Sequence, residues 1–117
     1  MTTAPSGAPI PDVMSDLTAF QRNVLVVLSA EPMYGLAIKR ELEAYYGAEV
    51  NHGRLYPNLD TLVEHGLVDK QALDKRTNEY SLTDDGADAV LEQLEWAVFQ
   101  LQSNGSYDDQ LESLLEE

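Results

Sequence analysis

The stretch Asn51–Lys70, NHGRLYPNLDTLVEHGLVDK, decides the fold. Leu55, Leu59, Leu62 and Val63 recur at i, i+4, i+7 and i+8, which puts one apolar stripe along a helix. Asn51 is a residue type that caps helix starts, and Gly66 is one that ends them. The spacing therefore predicts a helix over Asn51–His65 running into the beginning of a strand. The opposite side of that helix carries Gly53, Arg54, Pro57 and Thr61, with Asn58 and Asp60 at its margins. Its start holds an arginine, a glycine that lets another backbone come close, and little acid. Taken alone, this is an amphipathic helix with a mixed polar face; a helix that reads nucleic acid is the alternative. Pro57, about one and a half turns in, has no N–H for the helical ladder and is expected to kink it.

The sequence before this stretch favours the second reading. Asp16 or Thr18 can cap a helix LTAFQRNVLVVLS, whose residues Leu17, Phe20, Val24 and Val27/Leu28 fall on one side. Pro32 stops it, leaving Glu31–Met33 as a short extended link. A second helix, YGLAIKRELEAYY, starts near Tyr34 or Gly35 and ends at Gly47, with Ile38, Leu42 and Tyr45 expected in the core and Lys39, Arg40, Glu41 and Glu43 facing out. Ala48–Val50 then turns into the opening helix. Two helices joined by a turn of this length are the sequence form of a helix-turn-helix.

After Gly66, LVDKQAL and NEYSLT flank the polar turn Asp74–Thr77, the pattern of a β-hairpin. Its tip carries Lys75 and Arg76. A helix-turn-helix followed by a hairpin with a basic tip is the plan of a winged helix. Thr83 caps a long helix with Asp84 and Asp85 in its first turn, where carboxylates suit the positive helix end. Gly86 so near the start is expected to cost little. Ala87, Leu91, Leu94, Val98 and Leu101 form a seam close to a heptad pattern, with Val90 alongside. Trp96 and Phe99 lie off that seam, so one side is expected to pack on its own domain and another on a second subunit. Ser103–Ser106 breaks the helix, and Leu111, Leu114 and Leu115 give the tail a short amphipathic helix that needs a partner surface.

The chain of 117 residues suits one domain with a modest core. No apolar run approaches a membrane span. The first residues are small, polar and Pro-rich, without the regions of a signal peptide, so residues 1–14 read as a flexible arm and the location as cytoplasmic. The absence of cysteine excludes disulfides, thiolate metal sites and thiol chemistry. The formal net charge of −14, from 21 acidic and 7 basic residues, argues against a nucleic-acid partner. Two features weigh on the other side. Five of the bases, Lys39, Arg40, Arg54, Lys75 and Arg76, fall in or beside the helix-turn-helix and wing. A surplus of acids with three lysines is also the composition of proteins adapted to multimolar salt, where the screening length shrinks to ~3 Å at 1 M. An ordinary acidic protein that binds basic partners has the same bias.

LTAFQRNVLVVLSAEPMYGLAIKREL (Leu17–Leu42), GRLYPNLDTLVEHGLV (Gly53–Val68) and KRTNEYSLTDDG (Lys75–Gly86) together resemble the PadR-like winged-helix transcriptional regulators. Leu55-Tyr56-Pro57 followed by Gly66-Leu67 is the most specific part of that likeness. The resemblance implies a mainly α fold with a small β-hairpin: a winged helix-turn-helix over residues 15–83 and a C-terminal dimerisation region over 84–117. It also implies a homodimer on a palindromic operator. Arg54 departs from the family pattern, which commonly has a small hydroxyl residue there, and the surface is far more acidic.

On this reading the N-terminal half of the Asn51–His65 helix enters the major groove of double-stranded DNA. Asn51, His52, Gly53, Arg54, Tyr56 and Pro57 form its DNA-facing start. Lys75, Arg76 and Thr77 meet backbone or minor groove, and Lys39 and Arg40 add phosphate contacts. The expected dimer contacts are Ala87, Val90, Leu91, Leu94, Val98, Leu101, Leu111, Leu114 and Leu115, with salt cations as possible companions at the DNA interface. No cofactor and no metal is expected: His52 and His65 point different ways on one helix, and Asp84, Asp85 and Asp88 read as helix-end acids. Trp96 reads as a structural core residue, with an effector pocket as the alternative that the resemblance permits. There is no phosphate loop and no nucleophile elbow, and nothing supports an enzyme. The rival function is a winged helix that only contacts a basic protein partner.

Overall fold

A computed structural model describes residues 16–116; the expected arm over residues 1–14 lies outside them. Among the described residues, five α-helices and a three-stranded antiparallel sheet make up a winged-helix fold with a long C-terminal helix. Helix α1, Ala19–Leu28, is fixed at its start by reciprocal bonds. The Thr18 hydroxyl accepts from the Gln21 N–H, and the Gln21 side chain accepts from the Thr18 N–H. Strand β1 is Met33–Tyr34, helix α2 is Gly35–Tyr46, and helix α3 is His52–Glu64. Strands β2, Val68–Ala72, and β3, Asn78–Leu82, form the hairpin. Helix α4 spans Asp84–Gln102, and helix α5 spans Asp108–Leu115.

The third strand is a departure from the expected extended link. Met33 pairs with Tyr80 and Tyr34 with Glu79, so β3 lies between β1 and β2. Two residues are too few to show an alternating pattern, and their partner lies far along the chain. The sheet ties the wing to the entry of α2.

The core is built from the predicted stripes. Val24, Leu25 and Leu28 of α1, Ile38 and Leu42 of α2, and Leu55, Leu59 and Leu62 of α3 are buried together with Leu67, Val68 and Tyr80. Burial pushes the Tyr80 hydroxyl above its usual range, with the Asp60 carboxylate acting in the same direction. Tyr45 does not join this core and is 74% exposed. One turn beyond Leu42, Tyr46 covers the edge of the core, 38% exposed, with its ring stacked on Phe20 at 6.3 Å and its hydroxyl accepting from the Asn23 amide.

Helix α3 continues through Pro57, which supplies no N–H to its ladder. Side chains supplement its ladder on both sides of the proline: the Asn58 amide donates to the Arg54 carbonyl, and the Thr61 hydroxyl donates to the Pro57 carbonyl. At its end, Gly66 takes φ 77°, its N–H bonds to the Val63 carbonyl, and the Leu67 N–H reaches back to Leu62. That Schellman closure needs a residue at ease in the left-handed region, and it aims the chain directly into β2.

Gly86 does more than the sequence suggests. It is buried, and a Cβ there would collide with the Leu67 carbonyl oxygen and the Leu82 side chain. The missing side chain lets the first turn of α4 lie against the junction of α3 and β2. Beyond Ala89 and the half-buried Val90, α4 leaves its own domain. Trp96, expected in the core, is 64% exposed because it sits past this point of departure.

Candidate nucleic-acid interface

Helix α3 begins at an open surface. The Asn51 side chain caps it by accepting from the Gly53 N–H at 2.6 Å, which fixes the first turn with His52, Gly53 and Arg54 exposed. The His52 ring lies 5.2 Å from that of Tyr56, one turn on. Pro57 is exposed beside them. Lys39 of α2 and Glu49–His52 line one shallow depression at the entrance to α3. Tyr56 lines the next one, together with Tyr34, Gly35, Leu36, Arg76 and Thr77. Lys39, Asn51, His52, Tyr56, Arg76 and Thr77 thus follow one another along a continuous surface from α2 across the start of α3 to the wing.

Tyr56 is held rather than free. Gly35 lies so close under its ring that a Cβ there would overlap the hydroxyl and ring carbons. This glycine lets the start of α2 seat the Tyr56 side chain, which is half-buried. Tyr34, Leu36 and Asn78, which the sequence reading did not single out, complete that crease between α2 and the wing. Only the pairing of β1 with β3 brings them there, and no local sequence signal marks it.

The wing tip is pinned by Asp74. Its carboxylate accepts from the N–H groups of Arg76 and Thr77, both at 2.9 Å, and these bonds hold its pKa below the ordinary 3.8. The same turn leaves the Lys75 and Arg76 side chains exposed.

The bases differ in what they touch. Lys39 is ion-paired with Glu43 at 2.8 Å, so its charge is largely offset. Glu43 also accepts from the Val50 N–H at 2.9 Å. The Lys39 hydrogen bond, then that of Val50, lowers the Glu43 pKa below its ordinary 4.5. Glu43 therefore ties α2 to the turn that leads into α3. Arg54 leans toward α1: its guanidinium lies 4.1 Å from the centre of the Phe20 ring. Among the described residues, Arg40, Arg54, Lys75 and Arg76 have no carboxylate within ion-pairing distance. Also among the described residues, no group of three or more His, Asp or Glu side chains converges as a metal site, and no helix is long and apolar enough to cross a membrane.

The seam on α4 is open. Leu91, Leu94 and Leu101 are exposed and Ala87 and Val98 half-buried, whereas Val90 packs against its own domain core. Leu91, Leu94, Val98, Phe99 and Leu115 line a groove between α4 and α5. Leu111 is half-buried, and Leu114 and Leu115 are 78% and 86% exposed.

Residues 24–92 match the transcriptional regulator PadR-like family. The chain belongs to that family. As a PadR-like regulator it is a DNA-binding transcriptional regulator and not an enzyme. It is similar to the solved structures of H. salinarum RosR. The structure grown from NaBr shares 60% identity, covering 86% of this chain and 91% of that one, with a TM-score of 0.82. The complex of RosR-S4 shares 57% identity over 91% of this chain and 92% of that one, with a TM-score of 0.86. Bacillus subtilis PadR in complex with operator DNA is similar in fold alone, at 22% identity, 66% of this chain, 47% of that one and a TM-score of 0.57. No curated protein matches the chain.

Proposed function

We propose that the protein acts in the cytoplasm as a homodimer on a palindromic operator, at high salt. Residues 15–83 bind DNA and residues 84–117 join the two subunits. The observation that carries this reading is the continuous surface from Lys39 through Asn51, His52 and Tyr56 to Arg76 and Thr77, in an otherwise acidic chain. The first turn of α3 enters the major groove, where Asn51, His52 and Arg54 reach base edges or phosphates and Gly53 and Pro57 permit close approach. Lys75, Arg76 and Thr77 lie along the backbone or minor groove, and Arg40 adds a phosphate contact. Lys39 contributes less, because Glu43 already holds it. The exposed apolar residues of α4 and α5 support a second copy as their cover. Two copies of α3 then meet two half-sites about one DNA turn apart. Cations taken up between the acidic surface and the phosphates limit the repulsion.

Genomic fragments retained on the purified protein at ~2 M KCl are to be sequenced. Enrichment of a palindrome is the expected result. Retention of no fragment would favour a winged helix that contacts a basic protein instead. Arg54→Ala is expected to weaken binding of the enriched fragment without dissociating the dimer; unchanged affinity removes Arg54 from the interface.

A further inference from the structure

Arg54 meets α1 directly at its head and through Asn58 at its root. At its head, the guanidinium lies over the Phe20 ring, and Phe20 itself is 4% exposed and braced by the stacked ring of Tyr46. At its root, the Arg54 carbonyl accepts from the Asn58 amide, and the Asn58 side-chain oxygen accepts from the Gln21 amide at 2.8 Å. Gln21 is the one buried polar residue among those described, and its own oxygen is occupied by the Thr18 N–H. Every polar group along this path from the α1 cap to Arg54 therefore has a partner. The guanidinium is the exception: among the described residues, none of its N–H groups is bonded and no carboxylate pairs with it.

We propose that Phe20 and Gln21 are positioning residues for DNA recognition, acting through Arg54. The inference rests on the DNA-binding reading given above. A guanidinium seated over an aromatic ring gives up no N–H to a hydrogen-bond acceptor there, so those groups stay free to donate to a planar acceptor. A free arginine gives up much side-chain freedom when it binds; one already stacked gives up less. The stack also acts at contact distance, where dissolved salt screens little, while longer-range attraction between Arg54 and phosphates is screened within a few ångströms. In a protein of net charge −14, this places recognition on geometry more than on net attraction. Lys75, which has no such platform, marks the contrast: it supplies charge without a fixed direction.

The test is a double-mutant cycle on the palindromic fragment enriched at ~2 M KCl, with wild type, Phe20→Leu, Arg54→Ala and the double variant. Phe20→Leu is expected to lower affinity roughly three- to five-fold in the wild-type background and to change nothing further once Arg54 is alanine. An equal loss in both backgrounds shows a merely structural Phe20 and overturns the proposal. Should Phe20→Leu fail to fold, NMR of the wild-type protein supplies the second measurement. The δ protons of Arg54 are expected upfield from ring-current shielding, in the free protein and in the complex; unshifted protons overturn the proposal. Wild-type protein that binds no DNA overturns the functional reading and this inference together, whereas DNA binding that is indifferent to Arg54→Ala overturns this inference alone.

Discussion

Single atoms decide several contacts here. A methyl group at Gly86 would meet the Leu67 carbonyl oxygen, a backbone atom that cannot move without disturbing β2. Gly86→Ala is expected to destabilise the fold by about 1–3 kcal/mol, read as a lower melting temperature. An unchanged melting temperature would mean that α4 can shift at no cost. Glu43 is the second case. Its carboxylate is held below 4.5 by Lys39 and by the Val50 N–H. A carboxylate whose folded pKa is depressed is ionised in the fold while the unfolded chain begins to take up protons. Its contribution is therefore complete above about pH 4.5 and disappears as pH falls through the folded value. The melting gap between wild type and Glu43→Gln should be widest near neutral pH and narrow below pH 4.5. A gap that stays constant with pH contradicts the assignment.

At the scale of elements, α4 divides into two parts. Its first turns pack on their own domain through Gly86, Ala89 and Val90. The rest displays Leu91, Leu94, Trp96, Phe99 and Leu101, all 40% exposed or more. Apolar surface of this extent, on the leucine seam and on the side that carries Trp96 and Phe99, is the mark of an interaction site. Wild type is expected to sediment as the proposed dimer and Leu94→Asp as a monomer, with the helix content by circular dichroism nearly unchanged, because Leu94 is not part of the domain core. A dimer that survives the substitution would move the interface off this seam. None of the residues of helix α5 is buried, so the proposed interface includes this helix.

For the whole molecule, the balance of 21 acids and 7 bases dominates. A dimer that neutralises ~6–8 phosphates by counterion release alone would show a log–log salt slope of about −5 to −7 and lose its operator at molar salt. The expected slope for this protein is instead flat or reversed between ~0.5 and ~2 M KCl, because on the proposed reading cations drawn between the acidic surface and the phosphates offset those released from the DNA. A steep fall in affinity over that range would refute it. The pinned groups at the interface fit such a regime. Asp74 fixes the wing tip, Gly35 seats Tyr56, and Phe20 carries Arg54, so shape is set before charge is needed.

Periodicity and end signals were enough to define the helices. The leucine stripe of α3, the Asn51 cap, the Gly66 stop and the Thr83 cap are local, and each appears where the sequence places it. Local patterns work there because a helix satisfies its own backbone within a few residues. Contacts between distant residues were decided only by the tertiary structure. Strand β1 exists because β3 offers it a partner. Tyr45 was expected inside and lies outside because Tyr46 takes the place against Phe20. Gly86 and Gly35 matter through what another segment brings against them. Arg54 could be read as an exposed base on the outer face of α3. That its guanidinium rests on a ring 34 residues earlier depends on how α1 and α3 pack, which no periodicity within either helix encodes.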